Sequence, residues 1–292
     1  MNGSPESRAH FGPRSGSAAA PPAVLALETS TTRGSVAALV REQGAWQLAA
    51  HAAEDEARSQ TRTLFPMVER VLADAGLQPE DLGGLVVGVG PGTFTGVRIG
   101  VAAARAAALA LGITLIGRTA LSALAARAVL VAPAGVDRLI PTIDARRGQV
   151  FAAVYERAEG GWLLSRAPFA IDPDRLEGFR EELDHSSSAE GVTGSPFGTW
   201  VVGDGRVARE EWLPSAEFLV LGQEALQQAP SEGPSSEETY SNPSPAADLL
   251  VDLLAAGTPR PGEPGSPEAV RPLYVRAPDA DQHIKKMKDP WA

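Results

Sequence analysis

No cysteine occurs in the 292 residues, so neither a disulfide framework nor a thiolate metal site can form. Positive charge is sparse. Lys and Arg total 26 against 36 Asp and Glu, giving a formal charge of -10, and every lysine lies at 285, 286 or 288, in a segment read as a solvated end. That balance argues against an autonomous nucleic-acid binder, which needs cations to neutralise phosphates, yet it leaves room for a role beside an RNA-binding partner. Histidine is scarce as well. His10, His51, His185 and His283 fall in a tail, an edge strand, an insert and the other tail, and no pair has metal-ligand spacing. No run of about 18 uninterrupted apolar residues exists, and the opening MNGSPESRAHFGPRSGSAAAPP lacks the apolar core of an export signal. A cytoplasmic location without a membrane anchor is expected.

What is present has a clear rhythm. Residues 1–22 are small and polar and read as a disordered tail. From Ala23 onward, VLAL (24–27), SVAALV (35–40) and WQLAAHA (46–52) predict a three-stranded meander. Leu64, Met67 or Val68, Val71, Leu72 and Ala75 then share one helix face closed by Gly76, with a start or kink expected at Pro66. LGGLVVGVG (82–90) predicts a strand, 96–112 a helix, ITLIG (113–117) a strand and 119–130 another helix, which together make a layered α/β unit.

The pattern repeats. Leu27-Glu28, a TTRG turn and Ser35–Val40 match Ile143-Asp144, an RRG turn and Gln149–Tyr155, and Gly44–Leu48 matches Gly160–Leu164. Two related halves are expected, 23–132 and 133–276. In the second, 172–183 predicts a helix, 200–205 a strand and 245–257 a helix, with VRPLYVRAP as a last extended segment. Flexible inserts are expected near 184–199 and 227–245, and a polar tail over 277–292.

The string GVGPGTFTGVRIG, 88–100, sets bare backbone where a strand turns into a helix. The first amides of a helix lack partners and sit at the positive end of its dipole, so the place suits an anion. It is not a Walker loop, since no GK[ST] follows, nor a nucleophile elbow, since Phe94 stands where a Ser would be needed. Tight helix–strand packing accounts for the glycines equally well.

VLALETSTTRGSVAALV, SQTRTLFPMVERVL, GVGPGTFTGVRIGVAAARAAALALG, IDARRGQVFAAVYE and RPLYVR, in this order, resemble the TsaB family of threonylcarbamoyladenosine biosynthesis subunits. The resemblance implies a duplicated actin-like (ribonuclease H-like) fold of two subdomains. It also implies a catalytic homologue, TsaD, as heterodimer partner, the ATPase TsaE as third component, and a homodimer when the chain is alone. The role implied is a noncatalytic scaffold that reaches tRNA only indirectly, with no cofactor held tightly and ATP or ADP bound at the level of the complex. The alternative is an actin-fold ATPase or kinase, or a peptidase-like enzyme, acting alone. TsaD holds a metal through an HxxxH pair, and those positions fall here near Ala120 and Leu124, which cannot ligate.

In actin-like ATPases an Asp ends the first strand and positions magnesium. Glu28 stands there in this chain and Asp144 in the related copy, so Glu28, Thr29, Ser30, Gly90, Gly92, Thr93, Gly96 and Asp144 are expected to line a vestigial nucleotide or phosphate cleft with no catalytic residue. Each acid also reads as a carboxylate capping its turn. Partner contacts are expected on the outward positions of the helices over 59–75 and 97–111, at Arg62, Glu69, Arg70, Arg98 and Arg105, where the sheet is expected to have one face still to cover.

Overall fold

Six consecutive residues of β1 (Ala23–Glu28) are buried, which only a strand covered on both faces and both edges can achieve. Its neighbours are β2 (Gly34–Glu42), antiparallel, and β4 (Leu82–Gly88), parallel; β3 (Ala45–Glu54) and β5 (Thr114–Arg118) complete the order β3-β2-β1-β4-β5. The computed structural model describes residues 23–43, 45–54, 60–132, 135–158, 161–188, 198–203, 216–217, 219–221 and 265–275. The expected tails, the insert at 227–245 and the helix at 245–257 lie outside these.

Three helices follow the strands: α1 (Gln60–Asp74), α2 (Phe94–Leu111) and α3 (Ala120–Val131). Pro66 lies inside α1, six residues past the start, so it does not begin the helix. A proline there deprives the Arg62 carbonyl of its donor, and because both residues are exposed, water can serve that carbonyl instead. Leu64, Met67, Val71 and Leu72 of α1 pack with Val97, Val101, Ala104 and Ala108 of α2 on Leu25, Leu27, Leu85 and Val87. Glycine and alanine make α2 long and apolar enough to cross a membrane by composition, yet it serves here as one layer over the sheet.

The opposite face of the sheet is covered too, contrary to expectation. Val24, Ala26, Leu39, Val86 and Ile116 meet Ala123 of α3 and Ala216, Leu219 and Val220. Both faces of this sheet are thus packed, while Arg62, Phe65, Glu69, Arg70 and Leu109 on the outer side of α1 and α2 are exposed. The remainder of α3, including Leu121, Leu124 and Ala125, packs against a second sheet, so this helix is apolar all round because sheets flank it on both sides.

That second sheet has the order β8-β7-β6-β9, formed by β6 (Val136–Arg146), β7 (Gln149–Ala158), β8 (Gly161–Ile171) and β9 (Gly198–Gly203). It repeats β3-β2-β1-β4 strand for strand, so the duplicated actin-like plan is present in the structure as well as in the sequence pattern. Helix α4 (Pro173–Ser188) runs five residues beyond the expected end and absorbs the start of the 184–199 insert. Asp184 explains the extension. Its carboxylate accepts from Arg180 at 2.7 Å, Thr199 at 2.5 Å and the buried Arg138 at 3.4 Å, which ties the last turns of α4 to β6 and β9.

Two segments expected in the second half return to the first. Residues 216–217 and 219–221 cover its sheet, and the Ala216 amide donates to the Ser35 hydroxyl at 2.9 Å. Residues 265–275 run along β4 and β5: the Leu115 amide donates to the Gly265 carbonyl at 2.9 Å, the Leu273 amide to Val89 at 2.7 Å, and Val270 joins the core.

Candidate functional site

The end of β1 and the start of α2 meet. Thr29, Ser30 and Thr31 follow Glu28 in a tight turn that is buried throughout. Against this turn lies the loop from Val89 to Thr93, with a cis bond between Gly90 and Pro91 and Gly90 at φ 96, a value open to glycine. The Thr93 amide donates to the Ser30 carbonyl at 2.6 Å, and the Thr29 hydroxyl donates to the Gly96 carbonyl at 2.8 Å. Thr93 caps α2, its hydroxyl accepting from the Gly96 amide at 3.3 Å. Two amides that the sequence offered to an anion are thus engaged within the protein. Helix α2 therefore begins at Phe94, two residues before the first glycine of its expected span. Thr93→Ala removes the cap and is expected to cost about 1 kcal/mol, read as a fall of about 2–4 °C in melting temperature.

Glycine here serves close approach. A Cβ at Gly92 would overlap the Ser30 carbonyl, one at Gly88 the Glu28 carboxylate, and one at Gly100 the Thr29 hydroxyl. The packing explanation of the glycines is therefore realised at three positions, while Gly96 is buried in the first turn of the helix.

Glu28 is fully buried, with Oε1 accepting from the Ser30 amide at 2.5 Å. Its Oε2 and the Ser30 hydroxyl have no hydrogen-bond partner among the described residues. Burial raises the carboxyl above its ordinary range, and the neighbouring Ser30 and Thr29 groups only partly oppose this. Asp144 differs. It stands at the equivalent turn of the second sheet but is half exposed, accepts from the Arg146 amide at 2.7 Å and pairs with the Arg146 guanidinium at 3.3 Å. The structure gathers Glu28, Thr29, Ser30, Gly90, Gly92, Thr93 and Gly96 at one place, while Asp144 bonds Arg146 within its own hairpin.

On the outer side, Arg62, Glu69 and Arg70 are exposed, Arg70 sharing an i,i+4 pair with Asp74 at 3.5 Å. Arg105 is half buried. Arg98 lies 3.6 Å over the Phe94 ring and donates to the Tyr274 hydroxyl at 2.9 Å, binding the returning C-terminal segment to α2. Phe65 and Leu109, 59% and 56% exposed, are the apolar residues of this face that the charge-based reading missed. A signal existed for Phe65, which falls outside the stripe formed by Leu64, Met67, Val71 and Leu72.

A model of the family described as TsaD, tRNA N6-adenosine threonylcarbamoyltransferase, matches residues 52–185. The tRNA threonylcarbamoyladenosine biosynthesis protein TsaB of Escherichia coli is 33% identical over 209 residues, 66% of this chain and 85% of that protein. The chain belongs to the TsaB family. The TsaB of Haemophilus influenzae is 35% identical over 128 residues, 44% of this chain and 51% of that protein. Among solved structures, YeaZ from Pseudomonas aeruginosa has a TM-score of 0.54 at 27% identity, covering 69% of this chain and 90% of that one. A second structure from the same organism, an uncharacterized protein similar to peptidase YEAZ, superposes with a TM-score of 0.57 at 24% identity over 87% of this chain and 100% of its own, and shows the fold alone. Within this TsaB-family fold, Ala120 and Leu124, where the resemblance to TsaD would set a histidine pair, are core residues 0% and 1% exposed. Among the described residues no three His, Asp or Glu side chains cluster as a metal site.

Proposed function

We propose that this chain is a noncatalytic subunit in the formation of threonylcarbamoyladenosine in tRNA, and that it docks a TsaD-type catalytic homologue on the outer side of α1 and α2. One observation carries the docking surface. Phe65 and Leu109 stand exposed on helices whose inner faces are already packed, and Arg62, Glu69 and Arg70 are exposed along α1, able to fix orientation. The name of the E. coli relative supports the pathway. In this reading the same surface pairs two copies when the partner is absent, a TsaE-type ATPase joins the assembly, nucleotide binds at the level of the complex, and the cell compartment is the cytoplasm. The closely packed junction of Glu28, Ser30 and Gly92 is then a structural remnant of a nucleotide cleft.

Reconstitution tests it. The organism's TsaD homologue is combined with this chain and assayed for threonylcarbamoyl transfer to tRNA, with modification expected only when both are present. Leu109→Glu is expected to weaken the association at least tenfold, about 1.4 kcal/mol, and to leave the melting temperature of the isolated chain within a few degrees. Equal modification with and without this chain, or turnover of ATP by the chain alone at about 1 per second or faster, overturns the proposal.

A further inference from the structure

The outer flank of α2 carries one continuous stripe. Phe94, Arg98, Ala102, Arg105 and Leu109 recur at spacings of four, four, three and four, so they stand one above another along about 22 Å of the helix. Arg105 is half buried and the other four are exposed. Leu109, at one end, belongs to the docking surface proposed above. At the other end the stripe is joined by Tyr274 of the returning C-terminal segment, whose ring centre lies 5.3 Å from that of Phe94.

There an arginine is held in place yet left open. The Arg98 guanidinium lies 3.6 Å over the Phe94 ring and 5.8 Å from the centre of the Tyr274 ring, and its Nε donates to the Tyr274 hydroxyl at 2.9 Å. Stacking on the rings restrains a side chain that would otherwise swing freely, so part of the cost of ordering it is met before anything binds. The two terminal nitrogens have no hydrogen-bond or ion-pair partner among the described residues. They form the edge of the guanidinium that takes both oxygens of a carboxylate. Latching the C-terminal segment does not require this arrangement: Gly265 and Leu273 already hold it through backbone bonds, and Val270 is buried in the core. Phe94 and Tyr274 are 38% and 42% exposed, which leaves the cluster open to a partner.

We propose that Arg98, held against Phe94 and Tyr274, is the polar anchor of the docking surface and receives an Asp or Glu carboxylate of the TsaD-type partner, so that the C-terminal segment forms part of that surface. This deepens the docking reading above and rests on it. The surroundings favour a protein carboxylate over a nucleic-acid phosphate. Two rings and an apolar stripe are the setting in which Phe, Tyr and Arg anchor protein interfaces. The next basic residue on the stripe, Arg105, stands about 10 Å further along the helix and cannot share one phosphate with Arg98. A stacked nucleobase is disfavoured because Arg98 covers a face of the Phe94 ring and the two rings are tilted by 36°. Charge favours the TsaD-type partner over a second copy: the charged members of the stripe are both arginines, so an identical stripe offers them only cations.

The test measures the dissociation constant of the full chain with its TsaD homologue, and the melting temperature of each variant alone. Arg98→Gln is expected to weaken association at least about tenfold and to leave the melting temperature within a few degrees, because the C-terminal segment keeps its backbone bonds. Arg98→Lys keeps the charge and loses the planar fork, and should bind about fivefold more weakly than the wild type. Should Arg98→Gln fail to fold, Arg98→Lys decides. Unchanged affinity, with or without a fall in melting temperature, overturns the proposal and leaves Arg98 as a latch. Weaker tRNA binding by an assembly whose subunit affinity is unchanged would assign the guanidinium to a phosphate, and a change confined to self-association would assign it to a second copy; either overturns the proposal. If the wild-type chain does not bind its TsaD homologue, or Leu109→Glu binds as tightly as the wild type, the docking reading fails and this inference with it. If Leu109→Glu weakens binding and Arg98→Gln does not, only this inference fails.

Discussion

Gly92→Ala lowers the stability of the fold by about 3 kcal/mol, the sum of overpacking and a strained hydrogen bond. The methyl group falls on the carbonyl oxygen, carbonyl carbon and Cβ of Ser30, which sit in a fully buried turn and cannot retreat. The Thr93 amide already donates to that same oxygen at 2.6 Å, so no slack remains between the two loops. Moving either loop also disturbs the Thr29 hydroxyl on the Gly96 carbonyl and with it the first turn of α2. Urea unfolding of the two proteins measures the effect. Gly178→Ala is the matched control: it lies within α4 with open space around the added methyl, and there alanine should stabilise by about 0.5–1 kcal/mol. Equal stability of the wild type and Gly92→Ala would mean that the two loops are not in contact.

Glu28→Gln has the opposite sign and depends on pH. Burial raises the carboxyl in the folded chain above its ordinary 4.5, so the folded state holds the proton more tightly than the unfolded state does. The stability drawn from that proton is fully present below the unfolded value and declines as pH rises towards and through the folded one. Glutamine resembles the protonated acid and does not titrate. Near pH 4 the two proteins should therefore unfold at similar denaturant concentrations, and near pH 8 the variant should be the more stable, because it replaces a carboxyl whose ionised form burial disfavours by a neutral amide. Denaturant melts across that range decide it. A difference that does not change with pH would show Glu28 to be solvated or paired in solution.

Local patterns in the sequence were legible where a residue's neighbours along the chain dictate its state. The apolar run of β1, the 3.6-residue stripe from Leu64 to Leu72 and the alanine-rich α2 all appear at nearly the expected positions. The meander was legible twice because its acid, turn and alternating strand recur, and the recurrence proved to be a repeat of strand order. Contacts between distant segments were not legible. Nothing in the spacing of Thr29 announces a hydroxyl bonded to the carbonyl of Gly96, 67 positions away. Periodicity says which face of an element is covered but not by what, so the second cover of the first sheet, by α3 together with Ala216 and Leu219–Leu221, went unforeseen. At the candidate site the residue types were found while their purpose stayed divided. The glycines read equally as a cradle or as room for packing, and only the position of Ser30 decides for packing at Gly92. On the outer side of α1 and α2, charge drew notice to Arg62, Glu69 and Arg70, whereas the exposure of Leu109 emerges only in three dimensions.

The return of residues 265–275 has a consequence for biosynthesis. Val270 fills the interior beneath β5 and Leu273 latches onto Val89, yet both leave the ribosome after the whole of the second sheet. The earliest-made sheet thus acquires backbone bonds from a segment synthesised after the whole of the second sheet. The amino-terminal lobe therefore waits for its last described contacts while the described strands of the lobe encoded between them are in hand sooner.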